Sequence, residues 1–316
     1  MMAHTRYRAT LSLASPLGTP LAGDTLFGQL CWALREAQGE AELVRRLDGY
    51  TTGHPWLVVS DGFPAGHLPR PTLPQHFFPS QADVALRKAA RKRRWLPLAD
   101  ASRPLASAGK NDTEAYGQAP RPAVQSHNTI NRHTGTTGEG EFAPYTQPLT
   151  YHAASQAVDL WLIADDERLT AEELRTLLVA VGATGFGRDA SIGLGKFTVQ
   201  TVEQAELPAP VSPTAWWTLA PCAPQGQGFD GKQSYWRVLT RFGRHGNAHA
   251  LSGKPFKTPL LLATTGAVFT PQGDFASRLF IGQGLGGNGQ ISKAEPATVH
   301  QGYAPALPIK MEAAPR

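Results

Sequence analysis

In the first sixty residues the spacing of the apolar side chains changes from that of a strand to that of a helix. In residues 5–15 every second side chain is apolar, namely Tyr7, Ala9, Leu11 and Leu13. This spacing predicts a half-buried strand. After residue 23 the apolar side chains recur at helical spacing, at Leu26, Phe27, Leu30, Ala33 and Leu34. Asp24 is a suitable N-cap and Gly39 a suitable end, so we expect a helix between them. A short buried strand is expected at 56–60.

A second set of elements follows after a long interval. Regular patterning is weak from 61 to about 148, where proline and glycine recur. An interval of this length inside a compact domain usually has a function. Residues 157–165 then predict a strand, and 170–182 predict a helix in which Thr170 and Glu173 have the spacing of a capping box. A strand at 196–203 completes the set.

This order is strand, helix, strand, strand, helix, strand, or βαββαβ, which is the ferredoxin-like (RRM-like) arrangement. We therefore predict an α+β fold with a first domain at 1–205, which has an insertion at about 61–148 and a glycine-rich loop before its last strand. Three prolines in 206–215 predict a linker. A second, reduced ferredoxin-like domain is expected at 206–316, with strands at 216–221, 234–243, 259–269 and 278–282.

Composition narrows the class of protein only slightly. The chain has 316 residues, including 32 glycines and 26 prolines without a short period, which excludes collagen-like and low-complexity proteins. A formal net charge of +5 is mildly basic and does not by itself establish a nucleic-acid partner. Cys31 and Cys222 have no zinc-ligand spacing, and no segment has the apolar length of a membrane span. We expect a cytoplasmic protein without a metal, a cofactor or membrane contact.

The stretch GATGFGRDASIGLGKF at 182–197 is the most distinctive local motif. A dinucleotide-binding fingerprint needs a strand before the glycines and a helix after them, and here the order is reversed. A Walker loop needs glycine where Ala190 stands and a hydroxyl where Phe197 stands, so both nucleotide interpretations fail. A backbone anion site remains, with a plain glycine-rich turn as the alternative. Its members are Gly185, Gly187, Arg188, Ser191, Gly193, Gly195 and Lys196.

Two further segments carry side chains suited to RNA. The block HNTINRHTG at 127–135 contains groups that hydrogen-bond base edges and phosphates, although a polar surface loop has the same composition. The run at 87–94 contains six basic residues, and on a helix positions 87, 91 and 94 share a face. That face is either a clamp on RNA phosphates or a solvated surface. A third basic stretch, 241–257, is interpreted as a loop of the second domain.

These blocks, in this order, resemble the RAMP superfamily of CRISPR-associated proteins. Its members have RRM-like domains with a glycine-rich loop directly before the last strand, as GFGRDASIGLGKF stands here. Three further blocks resemble one branch, the subunit that caps the 5′ end of the guide RNA in type III-A (Csm) interference complexes. They are LASPLGTPLAGDTLFGQLCWAL, HNTINRHTGTTGEGEF and HQGYAPALPI. The resemblance runs over most of the chain and is weakest in 61–120.

The resemblance implies a non-catalytic, RNA-binding structural subunit with two RRM-like domains. Such a subunit holds the repeat-derived 5′ handle of the guide RNA, and target RNA binds through the guide. It docks the large polymerase-like subunit on one side and the backbone RAMP subunits on the other. The insertion provides a thumb-like hairpin near the guide, and the loop before the first helix lies close to the RNA.

The alternative is a metal-independent RAMP endoribonuclease that processes precursor guide RNA, with His127 or His133 as the base. No catalytic residue is assigned under the leading interpretation. The predicted RNA contacts are the seven residues of the glycine motif together with Gly23, Asp24, Arg91, Arg94, His127, Asn128, Asn131, Arg132, His133 and Thr134.

Overall fold

The computed structural model describes residues 4–79, 88, 90–105, 120–153, 156–246 and 255–312. The α-helices bounded within these ranges are α1 (Gly23–Gln38), α2 (Glu40–Leu47) and α3 (Ala171–Thr184). The strands of the first half are β1 (His4–Leu13), β2 (Leu57–Val59), β3 (Phe63–Pro64), β4 (His67–Pro69), β5 (Trp95–Pro97), β6 (Arg121–His127), β7 (Tyr145–Tyr151), β8 (Ala157–Asp165) and β9 (Phe197–Gln204). Those of the second half are β10 (Ala215–Thr218), β11 (Val238–Arg241), β12 (Leu260–Ala263), β13 (Val268–Phe269), β14 (Phe280–Gly282), β15 (Leu285–Gly286), β16 (Val299–His300) and β17 (Tyr303–Ile309).

The main sheet of the first half joins all four strands predicted there. They lie antiparallel in the order β2-β8-β1-β9, and β3 also pairs with β8. β1 alternates as expected, since Tyr7, Ala9 and Leu11 are buried in one core. β8 is buried along nearly its whole length, because its mainly apolar residues suit a central strand covered on both faces. The first half is therefore a mixed helix and strand fold, as predicted.

Helices α1 and α3 pack in the same core as β1. The Thr170 half of the predicted capping box of α3 is confirmed, because its side chain accepts a hydrogen bond from the backbone N–H of Glu173. The carboxylate of Glu173 does not complete the box and instead accepts hydrogen bonds from Gln38 and Arg46. The predicted cap of α1 is wrong. Its N-cap is Ala22, the helix begins at Gly23, and Asp24 lies in the first turn without capping it. The carboxylate of Asp24 has a distant partner instead, described below.

The insertion contains β3 to β7 rather than an irregular loop. β6 and β7 form a hairpin with continuous antiparallel register from Arg121–Tyr151 to His127–Tyr145. Backbone hydrogen bonds in both directions between Leu17 and Thr150 attach β7 to the segment before α1. Of the predicted helix-like run 84–95, residues 88 and 90–92 are helical, and 84–87 and 89 lie outside the described residues.

The second half is built on a four-stranded sheet in the order β13-β10-β17-β14, with β11 and β12 as a separate two-stranded sheet. The four predicted segments supply β10 to β14, but β17 was not predicted as a strand. Pro305 and Pro308 lie within it, and prolines are a signal against a strand. The described residues beyond 205 include no α-helix. A ferredoxin-like second domain therefore stays a prediction, as does its boundary at 205–206.

The two halves share a core and several buried hydrogen bonds. Trp161 of β8 belongs to one apolar cluster with Trp217 and Leu307 of the second half. The side-chain amide of Gln301 bonds both backbone groups of Val59 at 2.8 Å. The glycine-rich stretch 282–289 contacts the first half at Gly284, where a Cβ would collide with the carbonyl oxygen of Tyr50. It is thus an ordered internal contact.

Candidate nucleic-acid interface

The glycine loop, residues 185–196, follows α3 and leads into β9. Gly185, Gly187, Gly193 and Gly195 all have φ between 71° and 99°, a backbone region that favours glycine. The loop closes on itself, since the N–H of Phe186 donates to the carbonyl oxygen of Gly195. A Cβ at Gly195 would collide with the backbone of Phe186. Close internal packing is therefore one reason for these glycines.

Several N–H groups of the glycine loop are already bonded within the chain. Gly185 donates to Val181, Gly193 to Ala190, and Gly195 to the carbonyl oxygen of Pro16. The expectation that these N–H groups are open to an anion is therefore wrong, and RNA contact at the glycines stays a prediction. The loop instead presents side chains, because Arg188, Ser191 and Lys196 are exposed.

The glycine loop is joined to the hairpin through the segment 15–19. The backbone N–H of Lys196 donates to the hydroxyl of Ser15 at 2.8 Å, and that of Arg188 donates to the hydroxyl of Thr19 at 3.1 Å. The guanidinium of Arg188 donates to the carbonyl oxygen of Pro148 in β7. Because β7 also bonds this segment at Leu17, the three form one connected surface.

The hairpin tip, residues 128–144, holds most of the predicted HNTINRHTG block. At its base the rings of His127 and Tyr145 stack with centroids 5.2 Å apart and planes 13° apart. The side chain of Asn131 accepts a hydrogen bond from the backbone N–H of His133 at 2.9 Å, which shapes the turn. The other predicted members are exposed to solvent: Asn128, Arg132, His133 and Thr134. Their exposure agrees with either RNA contact or a polar surface loop.

Arg91 and Arg94 lie elsewhere. They line a cleft of about 880 Å³, whose described lining includes no residue of the hairpin or the glycine loop. We call it the basic cleft; its cationic lining is Arg70, Arg91, Lys92, Arg93, Arg94 and Arg237. Residues 20–22, directly before α1, line it too. The structure therefore separates the predicted RNA contacts into two groups. Arg70 and Arg237 were missed because neither belongs to a charged run.

Gly23 and Asp24 are buried beside this cleft. The N–H of Gly23 donates to the carboxylate of Asp61 at 2.7 Å. The carboxylate of Asp24 accepts two hydrogen bonds from Arg241, at 2.6 and 3.0 Å, and lies 3.3 Å from Nε2 of His300. In the free chain their polar groups are thus used internally, and their contact with RNA stays a prediction. Arg241 lies where the predicted strand 234–243 overlaps the predicted loop 241–257; it is the last residue of β11, and its side chain bonds Asp24 of the first half.

Two carboxyl groups in this region have opposite pKa shifts. Burial alone would raise the pKa of Asp24, but the hydrogen bonds and charges of His300 and Arg241 outweigh it and hold the pKa below its usual value. Burial raises the pKa of Asp61 to about 7, against hydrogen bonds from Thr265 and Gly23. Asp24 is therefore charged near neutral pH, whereas Asp61 is largely neutral below pH 7.

Neither a metal site nor a membrane span is found among the residues that the structure describes. They contain no cluster of His, Cys, Asp and Glu side chains that could hold a metal ion. None of their helices combines the length and the apolar character needed to cross a bilayer.

Comparison with known proteins gives a family and a fold. The sequence model of the RAMP superfamily matches residues 18–198. Two crystal structures of a Csm1–Csm4 cassette match the fold. The one in complex with pppApA is 16% identical, covers 97% of this chain and 99% of the other, and has a TM-score of 0.57. The one with cA4 is 14% identical with the same coverage, and its TM-score is 0.58.

A third structure, the Csm3–Csm4 subcomplex in the type III-A CRISPR–Cas interference complex, is 12% identical, with a TM-score of 0.52 over 96% of this chain and 99% of the other. The similarity is to Csm4 in these assemblies. No curated protein sequence gives a significant match.

Proposed function

This chain belongs to the RAMP superfamily, and from that premise we propose that it is an RNA-binding structural subunit of a type III CRISPR interference complex. In this proposal it holds the repeat-derived 5′ handle of the guide RNA in the cytoplasm and serves antiviral defence. It docks a large polymerase-like subunit and backbone RAMP subunits, and it meets target RNA through the guide. The likeness of its fold to Csm4, over nearly the whole of both chains, supports the choice of branch.

The observation that carries RNA binding is the placement of the HNTINRHTG block. It forms the tip of a two-stranded hairpin whose base is joined to the glycine loop through Arg188. Exposed donors such as Arg132 can contact phosphates, and the stacked ring of Tyr145, 47% exposed, can support an unstacked base. The hairpin and the glycine loop are therefore the proposed handle-binding surface.

The test is binding of the purified full chain to an RNA that carries the repeat-derived 5′ segment. Arg132→Ala should weaken binding by about tenfold, since a hydrogen bond to a charged group contributes about 1.5 kcal/mol. Lys232→Ala, an exposed charge in the second half, is the matched control and should have little effect. Equal effects of the two variants would refute the assignment of the hairpin tip.

The proposal also assigns no nuclease activity to the chain. Incubation with repeat RNA in the absence of metal should leave the RNA intact. Site-specific products with 2′,3′-cyclic phosphate ends, lost in His127→Ala or His133→Ala, would instead establish the endoribonuclease alternative. Co-purification of the chain with its associated subunits and guide RNA tests the assembly itself.

A further inference from the structure

The basic cleft combines many cations with a single acid. Six arginine and lysine side chains line it, and Asp61 is the one carboxylate in its described lining. Among the ion pairs of the described residues, none involves Arg91, Lys92, Arg94 or Arg237. Like charges gathered on one concave wall repel one another and raise the local concentration of anions. At these four residues the cleft therefore carries positive charge that no ion pair of the described residues neutralises.

The basic wall is held in place by Arg70. Its guanidinium donates to the carbonyl oxygen of Ala90 at 2.8 Å and lies 3.9 Å from the ring centre of Phe78. Its backbone N–H donates to the carbonyl oxygen of Arg94 at 2.8 Å. These contacts fix the backbone at both ends of 90–94, so the run is presented to the cleft by an ordered support.

The second half of the chain contributes to the lining of the cleft as well. Arg237, Thr264 and Thr265 line it, and Thr72 and Gln75 add further hydrogen-bonding groups. A volume of about 880 Å³ is at the upper end of the range for ligand pockets. Because burial raises the pKa of Asp61 to about 7, its carboxyl group opposes an anion little below neutral pH.

A short segment of the chain connects the basic cleft to the proposed handle-binding surface. A Cβ at Gly18 would lie 2.7 Å from the carbonyl oxygen of Arg188 in the glycine loop. Ala22, four residues later, lines the cleft. A fully extended chain spans at most about 14 Å over four residues. A single RNA strand can therefore contact both places.

We propose that the basic cleft is a second RNA site, which binds phosphates of single-stranded RNA between the arginine-rich wall and Arg237. The site is complete only when both halves of the chain are packed together. This inference rests on the proposed RNA-binding function, but it concerns residues that lie apart from the hairpin and the glycine loop. Its ligand is recognised by the charge of successive phosphates rather than by base edges.

Charge reversal tests the site in the full-length protein. Arg94→Glu and Arg237→Glu are each expected to weaken binding of a single-stranded oligoribonucleotide by at least about tenfold. The double variant should reduce the slope of log affinity against log salt by about 1.4, since each phosphate contact on a single strand contributes about 0.7. Lys232→Glu makes the same charge change outside the cleft and should leave the slope unchanged. An unchanged slope in the double variant, together with a loss of affinity in Arg132→Ala, would refute RNA binding at the cleft and would leave the proposed function intact.

A local readout in the unaltered protein avoids any effect of substitution on folding. Acetylation of Lys92 by an amine-reactive reagent, followed by mass spectrometry, should slow at least about fivefold when the oligoribonucleotide is bound at saturation. Lys232 should react at the same rate with and without RNA. If Lys92 is not protected, the proposal fails. If ATP or inorganic phosphate protects Lys92 as well as RNA does at equal phosphate concentration, the site takes free phosphate compounds and the proposal is again overturned.

Discussion

Asp61→Asn is the substitution whose effect the structure specifies most closely. Asp61 is partly buried at the basic cleft, where it accepts a hydrogen bond from the N–H of Gly23 at 2.7 Å and one from the hydroxyl of Thr265. An asparagine can keep both contacts, because its oxygen accepts from Gly23 and its amide donates to Thr265. The change therefore removes the charge and retains the shape.

The magnitude follows from the pKa of Asp61. Burial raises this pKa from 3.8 to about 7, so the folded state holds a proton that the unfolded state releases between these values. A raised carboxyl pKa means that stability is highest at low pH and falls as pH rises through 4 to 7. At about 1.4 kcal/mol for each pKa unit, the loss reaches about 4 kcal/mol, of which about 2.5 kcal/mol falls between pH 5 and pH 8. Water in the cleft screens the carboxylate and makes these values upper limits.

The assay is urea unfolding of the wild type and of Asp61→Asn at pH 5 and pH 8. The free energy of unfolding of the variant relative to the wild type should rise by up to about 2.5 kcal/mol from pH 5 to pH 8, since other titrating groups cancel in the difference. Asp274→Asn, at an exposed carboxylate, is the matched control and should follow the wild type at both pH values. A relative stability of Asp61→Asn that does not change with pH would refute the raised pKa.

Three further outcomes are expected. Gly195→Ala should prevent stable folding because its Cβ meets a backbone carbonyl, whereas Gly193→Ala, with open space around its Cβ, should lose about 1–2 kcal/mol from its positive φ in urea unfolding. Asp24→Asn should lower the free energy of unfolding by about 3 kcal/mol, because it leaves the guanidinium of Arg241 without its buried partner. Since burial raises the pKa of both cysteine thiols to about 12, neither should react with a thiol reagent at pH 8 in the native protein, and both should react in urea.

Sequence patterns over a few residues correctly predicted the features that depend on neighbouring residues. The cap of α3 needs only Thr170 and the backbone of Glu173, three residues apart, and it is present. The short, mainly apolar segment at 157–165 predicts a buried strand without any knowledge of its neighbours, and the structure has a buried strand there. The polar block at 127–135 indicated an exposed loop, although no local pattern indicated the strands that support it.

Long-range partners account for what local rules missed. Asp24 has the residue type of an N-cap, but its carboxylate binds Arg241, 217 positions later. β17 contains two prolines, yet it is held between β10 and β14 in the sheet. The basic run at 87–94 was recognised, but its counterpart Arg237 carried no signal, because a single arginine between apolar residues is common on a protein surface.

The contacts that join the two halves also surround the basic cleft. Asp24 binds Arg241 and Asp61 binds Thr265, so two carboxylates of the first half are held by side chains of the second. Arg237 and Thr265 belong to the same face of the second half that lines the cleft. A ligand that bridges the walls binds only the packed arrangement, and by mass action it stabilises that arrangement relative to any state in which the halves separate. Packing between the halves and phosphate binding are therefore coupled, and a substitution at either one is expected to weaken the other.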